Sequence, residues 1–182
     1  MLDVLRVVAT TVWLLLPAYT PNNFAVVFGG GKPLDFGKKF FDGKRILGDG
    51  KTIRGFVAGV AGGVVVANVQ YVIEKILNFK IYTSLAYQDF LSLAFLLSLG
   101  AIIGDALGSF LKRRFGYNRG DFFPIVDQLT FLAVAIILAS LSPHFFNLFD
   151  VYKILIAFVI TPPLHLTTNY LAYKIGLKKV PW

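Results

Sequence analysis

Cysteine is absent from the 182 residues, which excludes disulfides, thiolate nucleophiles and cysteine-type zinc sites. Charge is sparse as well. Only 15% of residues are charged while 56% are hydrophobic, and the mean hydropathy of +0.68 is too high for an ordinary soluble domain. No internal repeat or low-complexity tract is visible, so the inverted halves from which many transporters are built have no counterpart here.

What the chain does have is long apolar runs. Stretches near the roughly 20 residues needed to cross a bilayer occur at about Val7 to Phe28, Phe56 to Ile76, Phe90 to Phe110, Pro124 to Leu141 and Val151 to Ala172. The first has an apolar core of signal-peptide length. Asp3 offsets Arg6, however, and no small-residue cleavage site follows Pro17, so it reads as a retained span. The expected fold is an all-α integral membrane protein of about five transmembrane helices, one domain over residues 1–182.

Basic residues fall mainly on one side of these spans. Lys32, Lys38, Lys39, Lys44, Arg45, Lys51 and Arg54 lie in a loop at about 29–55. Lys112, Arg113, Arg114 and Arg119 lie at about 111–123, and Lys174, Lys178 and Lys179 follow the last span. The other side carries only Arg6, Lys75, Lys80 and Lys153. Because short loops rich in Lys and Arg stay cytoplasmic, the N-terminus is expected outside and the C-terminus inside. The same bias accounts for the net charge of +8 without a nucleic-acid partner.

The first loop is punctuated by glycine and ends Gly48-Asp49-Gly50-Lys51-Thr52-Ile53-Arg54-Gly55. This is not a Walker motif, since Arg45 stands where the earlier glycine belongs and no strand precedes it. A basic, glycine-rich loop entering a helix N-terminus does suit phosphate binding. Asp35, Asp42 and Asp49 exceed what a headgroup-binding basic patch needs, which favours a functional loop. In the second span, Gly55, Gly59 and Gly63 form a small-residue stripe expected to serve helix packing.

Asp105 is a carboxylate within an apolar span, an expensive placement that marks a working site by default. Asp105, Ser109 and Lys112 recur at i, i+4 and i+7, on one helical face. Asp127 is expected about one turn into the next helix, at comparable depth, with Pro124 suited to its first turn. Two such carboxylates call for a cation between them, and oxygen ligands favour Mg²⁺ or Ca²⁺. The alternatives are a salt bridge to a nearby Lys or Arg for Asp105 and a helix-dipole role for Asp127. Asp121 reads as a turn or capping residue. In the last span, Pro162-Pro163 should kink or break the helix, and His165 and Asn169 either line a cavity or satisfy freed carbonyls.

The run Gly104-Asp105, Ser109, Lys112-Arg113, Gly116, Pro124, Asp127-Gln128 resembles the signature of the CTP-dependent phosphatidate cytidylyltransferase family. Lys51-Thr52-Ile53-Arg54-Gly55 is similar to that family's K-T-W-E-G. Gln128 replaces an arginine of the pattern, Thr130 stands where its last aspartate belongs, and the glycine-rich segment is reduced to Pro124. A second metal ion would therefore lack a carboxylate ligand. The short length and the segment from Gly31 to Thr52 resemble the compact archaeal branch of the family.

The resemblance implies attack by the phosphate of digeranylgeranylglyceryl phosphate on the α-phosphorus of CTP, with Mg²⁺ as cofactor and pyrophosphate as leaving group. It assigns Asp105 and Asp127 as metal ligands and, with Lys112, as the catalytic set. Arg113 and Ser109 become phosphate contacts, and Asp49, Lys51, Thr52 and Arg54 a nucleotide cradle assisted by Lys32 and Lys38. Asn22 and Asn23 become contacts to base, ribose or phosphate. Both histidines are expected to lie away from this centre, which is placed at the cytoplasmic face of the cell membrane. The rival readings are an ion-coupled transporter using Asp105 and a CTP-dependent lipid or polyprenol kinase.

Overall fold

A computed structural model of the chain describes residues 2–118 and 120–181; Arg119 of the second basic loop lies outside the described residues. The helices are α1 (Leu2–Tyr19), α2 (Pro21–Phe28), α3 (Ile53–Ile76), α4 (Tyr87–Arg114), α5 (Val126–Ala139), α6 (Phe145–Leu148) and α7 (Val151–Lys174), with a 3-10 turn at Tyr82–Ser84. Among the described residues there is no strand, only two isolated bridges within loop one. Four stretches are long and apolar enough to cross a membrane: Asp3–Phe28, Ile53–Ile76, Tyr87–Arg114 and Val151–Lys174.

The fifth expected span is shorter than its apolar run. α5 has 14 residues, about 21 Å of helix against a hydrocarbon layer of roughly 30 Å. Pro124 does not occupy its first turn. Ile125 takes a positive φ of 68° as the residue before the helix, a conformation rare for a β-branched side chain, so α5 starts only at Val126. Of the kink or break expected at Pro162 and Pro163, the break does not occur, since both sit inside one continuous helix α7.

Prolines and glycines bind the first three spans together. Pro17 and Pro21 lack the N–H groups that would reach the carbonyls four residues earlier, Trp13 O and Pro17 O. Polar side chains from other helices approach both acceptors, the Ser98 hydroxyl being shared with Ala94 O at 2.8 Å. Gln70 Nε2 of α3 donates to Trp13 O at 2.7 Å, and Ser98 Oγ of α4 lies 3.0 Å from Pro17 O. The stripe on α3 packs as expected: Gly55, Gly59, Gly62 and Gly63 are buried, and a Cβ at Gly59 would lie 2.9 Å from Pro21 O.

A second stripe, Gly100, Gly104 and Gly108, brings α4 onto α5; a Cβ at Gly104 would lie 2.5 Å from Thr130 O. At the opposite end of α3, Glu74 accepts from Trp13 Nε1 and from the amides of Ile81, Tyr82 and Thr83 at 2.8–3.1 Å. This carboxylate, missed in the sequence, folds the connection into α4. Leu14, Leu15, Phe90, Leu93, Leu97, Leu132 and Phe145 fill the core between these helices.

Gln70→Leu should leave Trp13 O without a donor and lower stability by about 1–3 kcal/mol. Adding Pro17→Ala restores the intrahelical donor and should recover most of the loss, as read by thermal unfolding in detergent.

Candidate functional site

Loop one is folded by its aspartates. Asp35 is buried, and its carboxylate accepts from Arg45 Nη2 at 2.7 Å and Nε at 3.1 Å, and from the amides of Gly37, Leu47 and Gly48 at 2.9–3.1 Å. Burial alone would raise its pKa. The Arg45 guanidinium and the three amides outweigh that and hold it well below the usual carboxylate range. Asp42 pairs with Arg114 at 2.8 Å and Asp49 with Arg45 at 2.8 Å. The aspartates read as signs of chemistry thus have structural partners.

Arg114 fastens this loop to the end of α4. Its Nη2 donates to Arg45 O at 2.6 Å and its guanidinium lies 4.9 Å from the ring centres of Phe40 and Phe110. Thr52 caps α3, its Oγ1 accepting from Gly55 N at 3.0 Å. With the loop so held, Lys51 Nζ donates to Asp105 Oδ2. The salt-bridge alternative for Asp105 is therefore realised, with a partner 54 residues distant in sequence.

Asp127 is in the first turn of α5 and accepts from Lys112 Nζ at 2.9 Å and from Phe123 N at 3.1 Å. It is not at the depth of Asp105. Gly104 packs on Thr130 and Phe131 while Gly108 meets Thr130 and Val126 O, so Asp127 lies nearer the loop end by about one turn. Lys112 Nζ also donates to Asp121 O at 2.5 Å. Asp121 Oδ2 accepts from Asn118 N, the turn role expected of it. Ser109 is half-buried one turn on from Asp105. Arg113 lies within electrostatic reach of Asp121 and Asp127, its Nε buried without a hydrogen-bond partner.

Two residues join this centre that the sequence reading left out. α7 ends in a Schellman reversal, with Gly176 N donating to Tyr173 O at 3.0 Å and Leu177 N to Ala172 O at 2.9 Å. Gly176 has φ +78°, which a side chain would oppose. The reversal turns the tail back over the bundle, so that Val180 approaches Gly120 and half-buried Lys178 lies within electrostatic reach of Asp105, Asp127, Lys51 and Lys112. Burial presses the Lys178 pKa below the ordinary lysine range, against the opposing pull of Asp105.

His165, expected away from the centre, lies within reach of Asp105, Asp127, Lys112 and Lys178. It stacks on Phe131 at 5.9 Å, and Asn169 Nδ2 is 3.1 Å from its Nδ1. His144 pairs with Asp89 at 3.2 Å, at the other end of α4. The signal for both additions was faint: a glycine followed by a basic tail, and an i, i+4 polar pair on an apolar helix.

The remaining expected residues distribute as follows. Asn22 sits in the first turn of α2 with Oδ1 buried and unpartnered, while Asn23 is exposed. Lys38 is exposed on loop one. Lys32 and Arg54 line a separate groove on α3. Among the described residues no cluster of three or more His, Cys, Asp or Glu is positioned to hold a metal. Asp105 and Asp127 each leave Oδ1 without a hydrogen bond among these residues, the oxygen that each could offer a hard cation.

Two carboxylates, each paired with a lysine, thus lie toward one end of an apolar helical bundle, and the chain is similar to an intramembrane enzyme. A solved structure described as an intramembrane enzyme for archaeal membrane lipids biosynthesis superposes with TM-score 0.72, at 33% identity over 87% of this chain and 91% of that one. A family model described as CarS-like, CDP-archaeol synthase, matches residues 4–182. CDP-archaeol synthase of Archaeoglobus fulgidus is 61% identical over 98% of this chain and 99% of its own length. Those of Pyrococcus horikoshii and Methanospirillum hungatei are 46% and 44% identical over 93% and 92% of this chain, and 94% and 100% of their own lengths. The chain belongs to the CDP-archaeol synthase family.

Asp35→Asn should speed exchange of the Leu47 and Gly48 amides roughly a hundredfold at neutral pH, equivalent to about 3 kcal/mol of loop stability. Because the native pKa is depressed, the stabilisation is complete above the unfolded value near 4 and is lost as pH falls below it. The difference from wild type should therefore narrow between about pH 5 and pH 2 in hydrogen-exchange measurements.

Proposed function

We propose that this chain transfers the cytidylyl group of CTP to the phosphate of digeranylgeranylglyceryl phosphate, forming a CDP-activated archaeal ether lipid and pyrophosphate. The observation that carries this reading is that the Lys51–Asp105 and Lys112–Asp127 pairs, toward the loop end of the bundle, both lie within electrostatic reach of Lys178. A water-soluble triphosphate and a lipid headgroup can both reach such a boundary. The Lys- and Arg-rich short loops at that end support a cytoplasmic-facing site.

In this reaction a lipid phosphate oxygen attacks the α-phosphorus of CTP, a new P–O bond forms, and the bond to the β-phosphate breaks with its electrons leaving on pyrophosphate. A phosphate monoester has a second pKa of about 6, so it is already largely ionised and no protein nucleophile is required. The protein's task is alignment and charge neutralisation. Lys51 and Lys112, held by carboxylates in the free protein, can turn their ammonium groups to phosphate oxygens. Lys178 faces the same space and stabilises the departing pyrophosphate. Asn22 Oδ1 is an unpartnered acceptor for the exocyclic amine or ribose hydroxyls of the nucleotide.

Mg²⁺, held by Asp105 and Asp127, would neutralise triphosphate charge when bound. Ser109 and Arg113, on the same end of α4, contribute contacts to the phosphates. The lipid enters sideways, its chains remaining in hydrocarbon.

Purified protein given CTP labelled at the α-phosphate, Mg²⁺ and the isoprenoid-ether phosphate should move label into lipid with equimolar pyrophosphate. Asp105→Asn and chelation should each abolish the transfer. Release of CDP instead of pyrophosphate would identify a kinase, and no label in lipid would overturn the reading. Lys178→Ala should lower kcat roughly a hundredfold, with partial recovery in Lys178→Arg, whereas Lys174→Ala should stay within about twofold.

A further inference from the structure

The face of α3 that carries Gly55 and Gly59 packs on α2 and α4. A different face borders a groove of about 620 Å³ between the end of α2, the Gly30–Lys32 turn and the first turns of α3. Its walls are Phe28, Ile53, Val57 and Ala58; Phe28 is 50% and Val57 62% exposed, both within spans read as membrane-crossing. Such exposed apolar residues face lipid. Lys32 and Arg54 stand at the head of the groove.

These two cations differ from most others in loop one. Arg45, Lys44, Lys51 and the neighbouring Arg114 are bonded to carboxylates or carbonyls. Among the described residues the side chains of Lys32 and Arg54 make no hydrogen bond or ion pair, and both are exposed. Their backbones are nonetheless held in register, with Ile53 N donating to Lys32 O at 3.1 Å and Pro33 bridged to Thr52. The result is two exposed cations, on backbone held in register, above an open apolar surface. Asp105, Asp127, Lys51 and Lys112 do not line it.

We infer that this groove binds one anionic phospholipid of the surrounding leaflet, its phosphate between Lys32 and Arg54 and an acyl or isoprenoid chain along Phe28, Ile53 and Val57. Charge complementarity selects the headgroup, and the open apolar wall suits a chain lying along it. Arg supplies a planar fork for two phosphate oxygens and Lys a point charge opposite it. The bound lipid is not the acceptor in transit, because Arg54 and Val57 lie away from the glycine face that packs toward α4. Its effect is to brace the start of loop one, since Lys32 and Ile53 are hydrogen-bonded across the mouth of the groove.

The test is native mass spectrometry of the full chain in detergent, titrated in parallel with phosphatidylglycerol and phosphatidylcholine. One phosphatidylglycerol should be retained at least tenfold more strongly than phosphatidylcholine. Lys32→Ala with Arg54→Ala should remove that preference, and so should Val57→Trp, which fills the channel without changing charge. Lys38→Ala with Lys39→Ala removes the same charge elsewhere on the loop and should retain it. Equal loss in the Lys38/Lys39 variant, no selectivity in the wild type, or displacement of the lipid by CTP would overturn the inference. Asp105→Asn, which abolishes transfer under the proposed function, should leave retention unchanged, so this inference and that reading fail separately.

Discussion

A lysine from the entry to α3 and an aspartate inside α4 compensate one another at the edge of the bilayer, and the architecture around them follows from that pairing. Either charge alone would carry the penalty of an unpaired ion at low dielectric. Together they tie a polar loop to an apolar bundle. Asp35 gives loop one the rigidity to deliver Lys51, and Arg114 anchors the same loop from the end of α4. The centre is therefore assembled from segments that converge only when loop one is folded.

The hydrocarbon interior imposes the same demand on the backbone. Proline in a span frees a carbonyl that water cannot reach, and in α1 and α2 each freed carbonyl meets a polar side chain from α3 or α4. What reads in one dimension as a helix-breaking residue becomes, in the bundle, an acceptor that specifies a neighbour. Glycine stripes on α3 and α4 supply the close approach that makes those bonds possible.

The helical membrane class, four of the five spans and the Asp105–Ser109–Lys112 face were legible because each depends on local spacing. So was the first-turn position of Asp127. The Lys51 partner of Asp105 was not legible, because an ion pair across 54 residues leaves no periodic trace. Asp35 counted only as one of three aspartates favouring a functional loop, because a buried structural carboxylate is recognisable only once its donors are seen. Lys178 was counted only as topogenic charge; its place follows from the backbone reversal at Gly176. The shortness of α5 was hidden in an apolar run that continues past both of its ends.

That short helix has a consequence for the membrane itself. A segment of about 21 Å cannot match a layer of about 30 Å, and such mismatch is relieved by thinning of the adjacent leaflet or by drawing polar flanks inward. Asp127 and the Phe123 turn stand at one of those flanks. Such thinning would lower the water boundary beside the two lysine–carboxylate pairs, and a lipid headgroup would then reach them without being lifted from its leaflet. Under the proposed function bilayer thickness would then bear on turnover, a thicker membrane raising the cost of bringing nucleotide and lipid phosphate to one level.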